Sequence, residues 1–272
     1  MIALAVFAAP LAHYTRASFA EEAETKTFSS VGEACQALSQ AVQNDDEKAL
    51  ESIIGKELIS SGDDAVDKVE RERFKQKYQE MHRLVQEPDG TTILYVGAEN
   101  WPFPIPLVSE KGGCHFDTRS GMQEIVFRRI GYDEATAIQV CHALVAAKKQ
   151  HQTNATSDEP ISQYAQGLIS ARASNADDSA RATREEPFHG YYFRILTERP
   201  GKAGATGSGS SVRKKTSGLA VVAYPAEYRS SGVMTFIVTE DGRVYERDLG
   251  PDTARVAGSM KDRPASGWHP VS

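Results

Sequence analysis

The sequence is poor in several features that would indicate a function directly. Among its 272 residues, no apolar stretch reaches the roughly 20 residues that a membrane-spanning helix needs. Basic residues are not in excess either, because the sequence contains 31 Lys and Arg and 37 Asp and Glu, which gives a net charge of −6. Phosphate contacts require clustered basic side chains. We therefore expect neither a transmembrane span in the mature chain nor a nucleic-acid partner.

Catalytic and metal-binding motifs are also lacking. The loop Gly204–Thr216 contains glycines and lysines, but not in the Gly-Lys-Ser/Thr order that cradles a phosphate. His115 and Asp117 alternate beside Cys114, yet structural zinc sites carry paired ligands at tight spacing, which this sequence does not have. The sequence therefore predicts no metal and no cofactor.

Cysteine is scarce, with three residues, Cys35, Cys114 and Cys141. In an exported chain, an odd number allows either one disulfide with one free thiol or three buried thiols. Cys35 and Cys141 both lie in predicted helices. They are a candidate disulfide pair only if those helices pack side by side.

The first 20 residues predict the compartment. Residues 1–9 (MIALAVFAA) form an apolar run, and residues 17–20 (ASFA) supply the small side chains that a signal peptidase reads. The positively charged region that normally precedes such a run is missing, as in a truncated signal peptide. We expect residues 1–20 to be a signal peptide and the protein to be periplasmic or secreted. The alternative is a hydrophobic N-terminal helix that is retained.

Residues 28–151 predict an α+β domain. Ser30 followed by Glu33 is typical of a helix N-terminus, and apolar residues at helical spacing follow. Three prolines in the segment 101–108 forbid regular pairing as a central strand. The predicted elements are helices at 31–42, 47–54, 65–86, 122–129 and 133–151, the last two separated by a break at Gly131, and extended segments at 91–96, 101–108 and 113–117.

Residues 152–187 predict a polar linker with a short helix at Ser162–Ser170. Residues 188–272 predict an antiparallel β-meander domain, because β-branched and aromatic runs alternate there with Gly-, Pro- and Asp-rich turns. We expect Trp268 to pack back on this sheet. The predicted elements are strands at 190–196, 219–223, 233–239 and 243–248 and a short helix at 251–260.

The order of helices followed by a curved antiparallel sheet resembles the cone of the nuclear transport factor two-like superfamily. The second half is loosely similar to the globular heads of type IV pilin-like proteins, in which a Gly-Tyr-aromatic strand precedes a meander that ends in an Asp-Gly turn. Both resemblances concern the fold class, α+β, and neither implies one function.

A more specific resemblance rests on several motifs in order, which together span about 28 to 271. They include WPFPIPLV (101–108), HFDTRSG (115–121), RRIGYDE (128–134), AIQVC (137–141), FHGYYFRIL (188–196), AYPAEY (223–228), SGVMTFIV (231–238) and DGRVYERDLGPDT (241–253). With these motifs the chain resembles the bacterial family catalogued as domain of unknown function 2950. The resemblance implies an exported protein of unknown activity, with no catalytic residue to carry over. This chain departs from the family pattern at 171–186, where it is shorter and more polar, and at 205–215.

His189 is the candidate catalytic residue. A general acid or base needs a partner within hydrogen-bond reach, and Glu227, Asp241 and Glu246 are the carboxylates that the meander offers. A histidine that only bonds backbone at a strand entrance is the alternative. This second interpretation fits the sequence better.

Aromatic residues along the predicted strands are the candidate ligand-binding residues. Alternate members point to one face of a sheet, so half are expected in the core and half are candidates for an exposed strip. The candidates are Tyr191, Phe193, Tyr224 and Tyr228.

The sequence favours a non-enzymatic binding protein or envelope-associated protein with a protein or glycan partner. A hydrolase-like enzyme that uses His189 with a carboxylate is the first alternative. A pilus-associated scaffold is the second.

Overall fold

The computed structural model describes residues 25–59, 64–110, 112–150, 187–197, 219–260 and 266–271. In this part of the chain the fold is α+β, and the chain divides into two compact units, Met1–Phe127 and Arg128–Ser272. The expected signal peptide, the helix at Ser162–Ser170 and the loop at 199–217 lie outside the described residues. The division falls inside a long helix, whereas the sequence suggested a linker at 152–187.

Three helices open the first unit: α1 (Val31–Gln43), α2 (Glu47–Ile54) and α3 (Asp64–Glu80). The predicted cap of α1 is present, because the Ser30 hydroxyl accepts a hydrogen bond from the Glu33 N–H at 3.2 Å. The Glu33 carboxylate accepts from the N–H and hydroxyl of Ser29, one residue earlier than a capping box requires.

The first sheet is antiparallel and corrects one prediction. Residues 82–86, expected at the end of a helix, form an edge strand that pairs with residues 96–92. The Gly97 N–H donates to the carbonyls of Lys77 and Met81 at 3.1 and 2.9 Å and so terminates α3 before the strand. Its strands are β1 (His82–Gln86), β2 (Thr92–Val96), β3 (Trp101–Pro102), β4 (Leu107–Glu110) and β5 (Gly113–Phe116), in the order β1-β2-β4-β5 with β3 also on β2.

The core of the first unit lies between these helices and the alternate inward residues of the sheet. Thr92, Leu94 and Val96 are buried, while Ile93 and Tyr95 are half-buried on the other face. The fully buried apolar side chains include Leu38, Leu50, Ile53, Leu94, Ile105, Leu107 and Phe116.

A single long helix, α4 (Thr118–Gln150), follows the first sheet. Asp117 caps it by accepting hydrogen bonds from the N–H and hydroxyl of Ser120 at 3.0 and 2.7 Å. The predicted break at Gly131 is wrong. A lone glycine costs a helix only about 1 kcal/mol, and the side chains that α4 buries farther along offset that cost.

The second sheet is a five-stranded antiparallel meander in the order β10-β9-β8-β7-β6. Each of the four strands predicted from the sequence is present, shifted by one or two residues at its ends. The strands are β6 (Tyr191–Thr197), β7 (Leu219–Pro225), β8 (Met234–Thr239), β9 (Val244–Asp248) and β10 (His269–Pro270).

Both faces of the second sheet are covered. On one face, Ala137, Val140, Cys141 and Leu144 of α4 pack against a set of strand residues. On the other face lie Leu196, Val222, Tyr224 and Ile237, covered by Ala257 of α5 (Thr253–Gly258) and by Trp268. The prediction that Trp268 packs on the sheet is confirmed. The strand residues under α4 are Tyr191, Phe193, Ile195, Val221, Ala223, Phe236, Val238 and Val244.

None of the helices in the described ranges combines the length and apolar character that crossing a bilayer requires.

Two glycines of α4 test the continuity of this helix. A Cβ at Gly131 would meet nothing within 4 Å, so Gly131→Ala is expected to stabilise the protein by about 0.5–1 kcal/mol through helix propensity. A Cβ at Gly121 would lie 2.7 Å from Ile105 Cγ1, so Gly121→Ala is expected to cost about 1–3 kcal/mol through overpacking. Urea unfolding monitored by circular dichroism measures both. Destabilisation by Gly131→Ala would contradict a continuous helix.

Candidate functional site at one end of the second sheet

Three of the sequence motifs meet at the end of the second sheet where β6 begins and β7 ends. The first is RRIGYDE on α4, the second is FHGYY at the start of β6, and the third is the loop 226–233 between β7 and β8. Direct hydrogen bonds join the helix to the loop. The site is therefore built within the second unit.

The segment FHGY is a tight turn. Phe188 and Tyr191 exchange two backbone hydrogen bonds of 2.9 and 3.1 Å. His189 and Gly190 between them have φ angles of 46° and 72°, as a type I′ hairpin turn requires. The turn thus sets the side chain of His189 at its tip.

Three aromatic rings come together at this turn, two from the turn itself and one from α4. The rings of His189 and Phe188 meet edge to face at 4.5 Å between centroids, and Tyr132 of α4 meets His189 edge to face at 5.8 Å. Tyr132 is 50% exposed, His189 is exposed and Phe188 is half-buried. We call Tyr132, Phe188 and His189 the aromatic cluster.

Glu134 ties α4 to the start of β8. Its Oε1 accepts hydrogen bonds from the N–H groups of Val233 and Met234, both at 2.9 Å. The hydroxyl of Tyr191 donates to the Met234 carbonyl at 2.9 Å and is also in hydrogen-bond contact with Glu134. Burial, reinforced by the charges of Glu134 and Asp133, raises the pKa of this hydroxyl. Tyr191 is therefore a neutral donor in the core.

Arg129 holds the loop from the same helix. Its guanidinium donates to the Ser230 carbonyl at 3.2 and 2.8 Å and to the Ser230 hydroxyl at 3.2 Å. Ser231 closes the loop on itself, because its hydroxyl accepts from the Glu227 N–H at 3.0 Å. Gly232 has no room for a side chain, since a Cβ there would lie 2.1 Å from the Tyr191 hydroxyl. The loop is thus fixed by charge, backbone bonds and close packing.

Asp133 is the buried acid of the site. It is 7% exposed, and burial raises the pKa of its carboxyl from 3.8 to about 6, against the opposing charge of Arg129. A Cβ at Gly190 would lie 2.8 Å from Asp133 Oδ2, so the turn and the carboxyl are immediate neighbours. Partial desolvation lowers the pKa of His189, although the residue as a whole is exposed. His189 is accordingly neutral at pH 7.

Two of the three carboxylates expected as partners for His189 are elsewhere, and the third, Glu227, lies in the adjoining loop 226–233, where its N–H and carbonyl bond the Ser231 hydroxyl. Asp241 bonds Thr239 and Arg243 at the opposite end of the sheet, and Glu246 lies opposite Phe236 on β9. The acidic neighbour of the turn is Asp133, which lies in the RRIGYDE motif and was not proposed from the sequence. The described contacts of the His189 ring are edge-to-face contacts with Tyr132 and Phe188.

Three of the predicted ligand-binding aromatics are core residues. Tyr191 and Phe193 are 0% and 1% exposed under α4, and Tyr224 is 7% exposed on the opposite face beside Tyr192. Among the described residues these strand aromatics form no exposed strip, because α4 covers one face of the sheet and α5 with Trp268 covers the other. Tyr228 remains half-exposed, with its hydroxyl donating to Asp248 at 3.1 Å and the Arg229 guanidinium 5.5 Å from its ring.

The cysteines and the candidate metal ligands also have structural roles. All three thiols are free and buried, with Cys35 in the core of the first unit and Cys141 in that of the second. The candidate bridge between them is not formed, because each side chain faces the core of its own unit. Asp117 is the cap of α4. Among the described residues, no three His, Cys, Asp or Glu side chains come together as a metal site would need.

The fold and this site define a two-unit α+β protein whose second unit is a helix-covered antiparallel meander with an aromatic cluster at one end. The chain belongs to the family described as Protein of unknown function (DUF2950), whose model matches residues 25–177 and 171–271. The two matched segments meet within the polar stretch where the sequence departs from the family pattern. No curated protein and no solved structure matches the chain.

Glu134 is expected to be the main polar support of the site. Glu134→Ala leaves two backbone N–H groups without their acceptor and is expected to cost about 2–4 kcal/mol, whereas Glu134→Gln keeps an acceptor and is expected to cost about half as much. The two tryptophans lie one in each unit, so a Trp101→Phe background leaves Trp268 fluorescence to report urea unfolding of the second unit. Glu227→Ala, at an exposed carboxylate nearby, is the control and should change stability by less than about 0.5 kcal/mol. Equal effects of Glu134→Ala and Glu227→Ala would contradict this role.

Asp133 is expected to make the second unit less stable as the pH rises. Its folded pKa lies above the unfolded value, so the native state holds this proton more tightly, and the advantage present below about pH 4 is lost as the pH passes about 6. Two pKa units correspond to at most about 3 kcal/mol. Asp133→Asn should remove this loss, so the stability difference between variant and wild type should grow from pH 4 to pH 7 in the Trp268 assay. A difference that does not vary with pH would refute the assignment.

Proposed function

We propose that this protein is a non-enzymatic binding protein of the bacterial cell envelope, periplasmic or secreted, that holds a glycan through the aromatic cluster. The observation that carries the proposal is the exposure of His189 on a tightly hydrogen-bonded turn and of Tyr132 on the neighbouring helix α4. Exposed rings with a polar atom at their edge suit sugars, because the ring packs against C–H groups while its hydroxyl or nitrogen bonds the sugar hydroxyls. A protein partner is the other outcome to be tested.

The rigid support behind the cluster favours binding. Arg129 and Glu134 hold the adjoining loop, and the turn has both central φ angles positive. A surface ordered before binding loses less conformational entropy when a ligand arrives. The edge-to-face ring contacts of His189 and its lowered pKa give less support to a hydrolase, in which a carboxylate orients the base and raises its pKa.

The export of the protein is proposed on the sequence of residues 1–20. Its apolar run and small residues before Glu21 are typical of a signal peptide. Cell fractionation of the native source, with N-terminal sequencing of the mature protein, tests this part on its own.

Binding is tested with soluble probes. We expect an N-acetylglucosamine hexasaccharide or soluble peptidoglycan fragments to bind the full chain in isothermal titration calorimetry. Tyr132→Ala is expected to weaken binding about tenfold, since an aromatic contact contributes roughly 0.5–1.5 kcal/mol beyond its buried area. Phe127→Ala removes a 65% exposed ring outside the cluster and should change the affinity less than twofold. Equal affinity of wild type and Tyr132→Ala would contradict the assignment.

The same preparations separate binding from catalysis. Cleavage of the probes, or of ester and peptide substrates, that is lost in His189→Ala would favour the hydrolase instead. Binding without cleavage favours the proposal.

A pilus-associated scaffold is the second candidate. It is supported by the Gly-Tyr-aromatic strand β6 that precedes the antiparallel meander and by the Asp241-Gly242 turn, the features that prompted the comparison with pilin heads. Co-purification with isolated filaments would favour it over a glycan-binding role.

A further inference from the structure

Two of the three cysteines, Cys35 and Cys114, are buried in the core of the first unit. Cys35 lies in the second turn of α1, and Cys114 lies in β5 on the face that packs against the helices. They are 3% and 2% exposed. Cys141 belongs to the separate core of the second unit. The first unit therefore contains a pair of buried thiols and the second unit a single one.

Backbone hydrogen bonds bring β5 against the start of α1. Phe28, three residues before α1, exchanges two hydrogen bonds with Cys114, both at 2.8 Å. A Cβ on Gly113 would lie 2.3 Å from the Phe28 carbonyl oxygen, so the two segments are in direct contact. α1 itself packs on β5. Cys114 is thus held beside the first turns of α1.

The electrostatics agree with this placement. Burial, together with the neighbouring Cys114, raises the pKa of the Cys35 thiol to about 12. Burial, together with the charge of Glu33 in the first turn of α1, raises the pKa of Cys114. The pKa of each cysteine is therefore raised in part by a group on the other cysteine's element, as expected of neighbours across one helix–strand contact.

We infer that Cys35 and Cys114 are a redox pair that closes an intramolecular disulfide when the protein meets a disulfide oxidant. In the step, the thiolate of one cysteine attacks a sulfur of the oxidant and expels a thiolate. The second cysteine then attacks the mixed disulfide and expels the other. The protein loses two protons and two electrons, and the oxidant is reduced to two thiols. Because both thiols are buried and protonated, the reaction requires a local opening of the first unit.

Such a bond would stabilise the first unit. The two cysteines lie about 80 residues apart, and cross-linking residues that far apart removes much freedom from the unfolded chain. For a unit of this size we expect the unfolding midpoint to rise by roughly 10 °C on oxidation.

The test uses the full chain, purified reduced, incubated with oxidised glutathione in mild urea, and then alkylated in strong denaturant. Peptide mass spectrometry should find Cys35 and Cys114 linked, with a mass loss of about 2 Da, and Cys141 alkylated. Cys141→Ala should keep both the link and the rise in the unfolding midpoint. Cys35→Ala should abolish both, and its reduced form is compared with reduced wild type to separate any packing loss from the loss of the bond.

Three outcomes would overturn the inference. They are full alkylation of all three cysteines after oxidation has reached equilibrium, a link that involves Cys141, and a Cys35–Cys114 link that forms only under conditions that unfold the first unit.

Discussion

The second unit depends on one half-buried carboxylate, that of Glu134. A charge taken from water must find donors, and Glu134 finds the N–H groups of Val233 and Met234 at the point where β8 begins. These two hydrogen bonds fix the position of α4 along the sheet, because a shift of the helix would leave the Glu134 carboxylate without its two donors. The apolar contacts of Val140 and Leu144 are non-directional and would tolerate such a shift.

The position of the helix decides where a surface for function can exist. With α4 on one face and α5 with Trp268 on the other, the strand aromatics become core. At one end of the sheet, Tyr132 from the helix and His189 from the turn stay exposed, with the His189 ring in contact with both Tyr132 and Phe188. The same helix thus covers the strand aromatics that the sequence suggested and contributes Tyr132 to the candidate site.

Structural elements that depend on residues close together in the sequence were predicted well. The Ser30 cap follows from side-chain hydrogen bonding, and the end of α2 at Gly55 follows from its turn residue. The four predicted strands of the five-stranded meander follow from alternation between turns. None of these signals needs a distant partner. Residues 82–86 were misassigned because pairing with β2 and the bonds of Gly97 override the helical spacing. Gly131 was misassigned because packing along α4 outweighs the small cost of one glycine.

The candidate site was predicted incompletely for the same reason, because it depends on contacts between residues far apart in the sequence. His189 was singled out from its neighbours in sequence, but its surroundings were not, since Tyr132 and Asp133 lie more than 50 residues away and reach it only through the packing of α4 on the sheet. The sequence left the pairing of Cys35 with Cys141 open for the same reason, because helical spacing does not reveal which core a side chain faces. The sequence alone determined the α+β class, the family motifs, the cap of α1 and four strands of the meander, since these depend on local chemistry and alternation. Only the tertiary structure decided which aromatics are exposed, which buried acid lies beside Gly190 of the turn and which thiols share a core, because each depends on contacts between residues far apart in the chain.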